Sequence, residues 1–145
     1  MIPLSTKITN SKEKKTMKEK EFESMSGSVL KVVTNRSNLQ FVLPDNEVIG
    51  DYPERVYLFD KKTHQNFVNY LLNEGNSIWK GFTPKEANSI GSDYYDCYDK
   101  KYDNNVYLSI DGNKAINITA CWNAESRLYQ FTKAKLQSFV YDLLN

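Results

Sequence analysis

Apolar and polar positions alternate in several short runs along the chain, and recur at three- and four-residue spacing in two longer ones. The alternating runs predict strands and the longer ones amphipathic helices. Residues 28–34 are rich in β-branched side chains and read as a first strand. A turn at residues 35–38 leads to a second strand at 39–43, closed by Pro44-Asp45-Asn46. Residues 47–49 read as a short third strand, broken by residues 50–53. Residues 55–59 form a further strand, with Tyr57 and Phe59 on one face and Val56 and Leu58 on the other.

Asp60 stands where a helix N-cap belongs. From Lys61 to Asn73 the residues Phe67, Val68, Leu71 and Leu72 make one apolar face, and Gly75 reads as the helix stop. Thr83-Pro84-Lys85-Glu86 carries a cap, a first-turn proline and an acid three residues on, so a short helix is predicted there, ending before Gly91. Residues 105–110 and 114–120 alternate around Asp111-Gly112-Asn113 and predict a hairpin whose Asp-Gly positions take positive φ. After a turn at residues 123–126 comes a strand at 127–131. Thr132 is its cap, and the final helix at 133–144 is striped by Leu136, Phe139, Val140, Leu143 and Leu144.

The last 19 residues, Arg127 to Asn145, match Arg55 to Asn73 without a gap, 72 positions earlier, with ten identities. Chance gives about one, so the match reads as an internal repeat. The implied fold class is α+β: two degenerate βββα repeats, at residues 28–75 and 105–145, joined by a connector at 76–104. They are expected to form a mostly antiparallel sheet with the helices packed on one face. Residues 1–26, charged and mixed in sign, are expected to be a flexible charged tail outside a single α+β domain at 27–145.

Composition narrows the function classes. Lys plus Arg number 19 and Asp plus Glu 18, so no overall charge draws the chain to nucleic acid or to an acidic membrane. With 145 residues the chain suits one compact core rather than two ordinary domains. No apolar run approaches the length of a membrane span, and the first residues lack a secretory pattern, so a cytoplasmic setting is expected. Cys97 and Cys121 form no CxxC pair and no metal spacing, and neither a cofactor nor a metal is implied.

Candidate chemistry is sparse. His64 is the single histidine and aligns with Leu136, a core-type helix position, so it reads as packing rather than as a general base. Cys97 is flanked by Asp96 and Asp99, which disfavour a thiolate, and Cys121 ends an apolar strand. No phosphate-binding glycine loop, zinc-protease motif or nucleophile elbow occurs, and the chain is expected not to be an enzyme.

The densest chemistry lies in residues 93–103, which pack four tyrosines, four aspartates and two lysines into eleven positions. Calcium-loop spacing is absent there. Clustered tyrosine beside acid suits contact with a protein partner, so Asp93, Tyr94, Tyr95, Asp96, Tyr98, Asp99 and Tyr102 are the candidate partner-binding residues. The expectation is a small non-enzymatic protein-binding protein. By association of composition alone, it is of the accessory or inhibitor kind found with mobile elements. The alternative is a nucleic-acid-binding regulator using Lys31, Arg36, Arg55, Lys114 and Arg127, with bases stacked on Tyr57/Phe59 and Tyr129/Phe131.

Overall fold

A computed structural model describes residues 17–42, 54–88, 94–95, 106–120 and 128–145. Among these the chain is α+β, with two helices and two antiparallel sheets. In chain order the elements are β1 (Met17–Glu23), β2 (Val29–Asn35), β3 (Leu39–Val42), β4 (Glu54–Tyr57), α1 (Lys61–Ile78), β5 (Val106–Ile110), β6 (Ile116–Ala120), β7 (Leu128–Phe131) and α2 (Lys133–Leu144). The four-stranded sheet has the order β1-β2-β3-β7 and the three-stranded sheet the order β4-β6-β5. The predicted strand at 47–49, the turns at 44–46 and 123–126 and the breaker at 50–53 lie outside the described residues.

The first correction concerns β1. Residues 17–23 were expected within the charged tail, yet they pair with β2 over seven positions, from Met17 opposite Asn35 to Glu23 opposite Val29. The reason is the period of the charges. Lys18, Lys20 and Phe22 share one face of the strand, and Glu19, Glu21 and Glu23 share the other. Phe22 is buried opposite Leu30, and its ring meets Phe67 edge-on at 5.1 Å. One anchored aromatic and a complete ladder of backbone bonds outweigh the polar composition. The turn into β2 is closed by Ser24 N–H donating to the Ser28 carbonyl at 2.8 Å, with Gly27 at φ 96°, a conformation that favours glycine.

The second correction concerns how the strands are shared. One sheet with helices on one face was expected; there are two sheets. The third strand of each sequence unit lies beside the hairpin of the other. β7 pairs with β3, from Leu39 opposite Phe131 to Val42 opposite Leu128. β4 pairs with β6, from Glu54 opposite Thr119 to Tyr57 opposite Ile116. A strand kept beside its own hairpin would leave each half with a core too small to hold alone. The buried residues instead form one continuous cluster drawn from both sheets and both helices.

The helix caps follow the sequence reading. Asp60 accepts the Thr63 N–H at 2.7 Å, and Thr132 accepts the Lys135 N–H at 3.2 Å. Tyr57, Phe59, Phe67, Val68 and Leu71 are buried, as are their aligned partners Tyr129, Phe131, Phe139, Val140 and Leu143. The Asp111 hairpin also forms, but its left-handed residue is Lys114 at φ 69°, not Asp111 or Gly112. Lys114 N–H donates to the Asp111 carbonyl at 2.9 Å and Asp111 N–H to the Ala115 carbonyl at 2.8 Å, a three-residue loop with its bulge at Lys114.

Two local readings fail at the end of α1. Gly75 does not stop the helix, which continues to Ile78 and is capped by Trp79 N–H on the Gly75 carbonyl at 2.9 Å. Gly75 is a contact glycine: a Cβ there would stand 2.6 Å from the Phe82 ring. Thr83-Pro84 starts no helix at residues 82–88. Phe82 is buried against α1, and the Lys85 N–H is committed to the Gln137 carbonyl of α2 at 3.2 Å. Those two tertiary contacts hold the segment extended.

Gly75→Ala separates the two forces at this point. Helix propensity alone favours alanine by about 1 kcal/mol, whereas overpacking costs ~1–3 kcal/mol. Urea denaturation is expected to show a net loss in the native background and a gain when Phe82 is first changed to Ala.

Candidate interaction surface

Residues 94 and 95 are the described part of the tyrosine/aspartate stretch, and they point opposite ways. Tyr94 is only 4% exposed. Its ring stands edge-on to Phe139 at 5.1 Å, its hydroxyl donates to the Asp142 carboxylate at 2.7 Å, and its carbonyl accepts from the Tyr129 hydroxyl. Tyr94 therefore serves the core and clamps the stretch to β7 and α2. Tyr95 is 53% exposed and stacks on Tyr107 of β5 at 4.6 Å with 23° between the rings. Asp93, Asp96, Tyr98, Asp99 and Tyr102 lie outside the described residues, as do Cys97, Cys121 and Arg127.

The stack sits on the outer face of the three-stranded sheet. Strand register puts Tyr57, Ile116 and Ile110 in one inward row, and Ile118 and Leu108 in the next. The outward rows are then Val56–Asn117–Ser109 and Thr119–Tyr107, with Glu54 at the register position opposite Thr119. Val56 is exposed, and Thr119 donates its hydroxyl to the Asn117 side chain at 2.7 Å. The described side chains of the face are thus tyrosine, asparagine, threonine, serine and valine, with no lysine or arginine among them. Stacked tyrosines offer large, stiff, amphipathic area, and the short polar side chains adapt their hydrogen bonds to what meets them.

The outer face of the four-stranded sheet differs. Glu19, Glu21 and Glu23 line its edge, Lys31 approaches Glu19 at 3.6 Å, and the Gln40 side chain donates to that of Gln130 at 3.1 Å. Charge along an edge strand discourages pairing with another chain. The aromatic pairs considered for base stacking, Tyr57/Phe59 and Tyr129/Phe131, are all in the core and present no ring to a ligand. Of the basic residues considered with them, Lys31 is beside Glu19 and Lys114 donates to the Asp142 backbone carbonyl at 2.8 Å.

His64 is half-buried on α1. It borders a groove of about 330 Å³ with Gln65, Val68, Asn69 and Leu144, none of which supplies an acid or a nucleophile. Among the described residues no group of three or more His, Cys, Asp or Glu is placed to hold a metal ion. None of their helices is long and apolar enough to cross a membrane.

A second constellation was not foreseen. Glu74, one residue beyond the 19-residue match, is 5% exposed on α1 and takes the Lys18 ammonium of β1 at 2.9 Å. The hydrogen bond to Glu74 raises the Lys18 pKa above its ordinary 10.5, against a smaller opposing effect of burial. One turn earlier Tyr70 has its hydroxyl buried. Burial first, and the Glu74 charge second, hold its pKa above the ordinary 10.0.

No protein-family model matches the chain, and neither does a curated protein or a solved structure. The functional reading therefore rests on the geometry of these surfaces.

Both shifted groups bind their proton more tightly folded than unfolded. Their contribution is complete below pH 10 and is lost as pH rises through the folded values. Urea denaturation between pH 8 and 11.5 is expected to show stability falling above about pH 10. In Tyr70→Phe the fall should be shallower; an unchanged slope would remove Tyr70 from the account.

Proposed function

We propose that the chain is a small non-enzymatic protein-binding module whose contact surface is the outer face of the three-stranded sheet, centred on Tyr95 and Tyr107. The observation that carries the reading is the stacking of exposed Tyr95 on half-buried Tyr107, on a face of Val56, Asn117, Thr119 and Ser109. Interface cores are enriched in tyrosine, as this face is. The partner is a protein, and an accessory or inhibitory role in a cytoplasmic setting fits a chain of this size. Asp93, Asp96, Tyr98, Asp99 and Tyr102 are proposed as contact residues on their sequence alone.

The same reading includes the duplication. The ten identities between residues 55–73 and 127–145, with buried residues at matching positions, support descent of β4–α1 and β7–α2 from one unit. On that view the two halves build the scaffold and most of the contact face, and the unduplicated stretch between them adds Tyr95 to it. Nucleic-acid binding is the alternative, and the lack of lysine or arginine among the described residues of the face weighs against it.

Affinity capture from the native cell, followed by titration of the captured protein, tests this. Tyr95→Ala and Val56→Lys are each expected to weaken binding about tenfold or more, ~1.4 kcal/mol, while Glu21→Gln on the other sheet leaves it unchanged. Wild-type affinity in both face variants would reject the surface. Salt-sensitive retention on random duplex DNA, without a captured protein, would favour the alternative.

A further inference from the structure

Beyond the protein-binding face, a polar cavity opens where β1, the end of β2 and the last turns of α1 meet. Its volume is about 220 Å³, and Lys18, Thr34, Asn35, Arg36, Glu74, Ser77 and Ile78 line it. At ~30 Å³ per water this is room for about seven waters, or for a molecule of similarly few heavy atoms.

Two of the lining side chains are more than nine-tenths buried, and one of them carries an oxygen without a partner. Glu74 uses Oε2 for Lys18, but its Oε1 is buried and accepts no hydrogen bond. Thr34, 7% exposed, has its Oγ1 buried within reach of the Tyr70 hydroxyl. Such groups are costly to leave unsatisfied and ordinarily have a partner. A carboxylate oxygen can only accept, so the missing partner for Glu74 is a donor.

Lys18, the present partner, is 62% exposed along its side chain. A long, mostly solvated lysine is a displaceable occupant of a buried carboxylate. At the rim, Arg36 is exposed and has no ion-pair partner among the described residues, and Asn35 stands beside it. The site is therefore polarised, with a buried anion on one side and cations at the mouth.

We infer that this cavity binds a small free α-amino acid. The ammonium group is held by Glu74, with Thr34 accepting a second of its hydrogens. The carboxylate is held at the rim by Arg36 and by the Lys18 ammonium it displaces. Both ligand charges meet opposite charge, and the three N–H donors face Glu74 Oε1, the Oε2 that Lys18 vacates and Thr34 Oγ1. Ser77 and Ile78 beside the opening leave space for a short side chain.

The test is NMR titration of the whole protein with L-alanine, L-serine and L-threonine, with methylamine and acetate as half-ligands and L-serinamide lacking the carboxylate. The amides of Asn35, Arg36 and Ser77 are expected to shift saturably with at least one of the three amino acids, more weakly with methylamine and not with acetate. Arg36→Gln, on the surface, should raise the amino-acid dissociation constant about tenfold and leave methylamine binding unchanged; Glu74→Gln should abolish both. No saturable shift at tens of millimolar amino acid would overturn the inference. So would serinamide binding as tightly as serine, or an unchanged constant in Arg36→Gln. The Arg36 arm decides the matter even if Glu74→Gln fails to fold.

Discussion

The ring of Phe41 is the contact on which the rest of the structure depends. It sits on β3, fully buried, with Phe67 of α1 at 5.9 Å, Phe139 of α2 at 5.6 Å and Phe131 of β7 at 4.8 Å. Phe67 and Phe139 are the aligned phenylalanines of the two matching stretches, and they meet through a residue that belongs to neither. Edge-to-face pairing fixes the relative position of rings more tightly than aliphatic contact does. Phe22, Phe59 and Tyr70 extend the network toward β1, while Tyr129 and Tyr94 extend it toward the connector. The second helix thus rests on strands contributed by both halves, and the first reaches the same core through Phe41.

Strand exchange and the aromatic core are two views of one constraint. β4 enters the sheet of β5 and β6 with Tyr57 turned inward, and the next residues carry Phe59 and the Asp60 cap into α1. β7 does the same beside β3 with Tyr129, Phe131 and the Thr132 cap. Once these faces are turned inward, the opposite faces are set by the two-residue period of the strands. The outward row of Val56, Asn117 and Ser109, with Tyr107 beside it, follows from the burial of Ile116, Ile118 and Leu108. The connector then uses one tyrosine as an anchor and the next as part of the surface. Function in this reading is placed by the core without being part of it.

What was legible in the sequence was local. The caps at Asp60 and Thr132 depend on residues within one turn, and the buried stripes of Phe67 and Phe139 on helical period. Strand β1 was misread because its composition is charged. The signal was present in the strict alternation Lys18-Glu19-Lys20-Glu21, which sorts the two signs onto two faces before Phe22. Gly75 and Thr83-Pro84 were misread because their conformations are decided by Phe82 and by a carbonyl of α2, both distant in sequence. The exchange of β4 and β7 is a choice between equivalent pairings that period alone does not distinguish. For the site, the tyrosines were singled out as a group, but only the strand parity and Tyr107 separate Tyr95 from Tyr94. Glu74 carried no pattern, since its partner Lys18 lies on a strand that was not expected.

The central claim is that both halves share one core, so that neither helix opens independently of the other. Native-state hydrogen exchange at increasing urea measures this directly. Amides in the middle of α1, near Leu71, and of α2, near Val140, are expected to converge on the same opening free energy and the same urea dependence, equal to those of global unfolding. Separate isotherms, with one helix exchanging through a smaller opening while the other stays protected, would contradict the account.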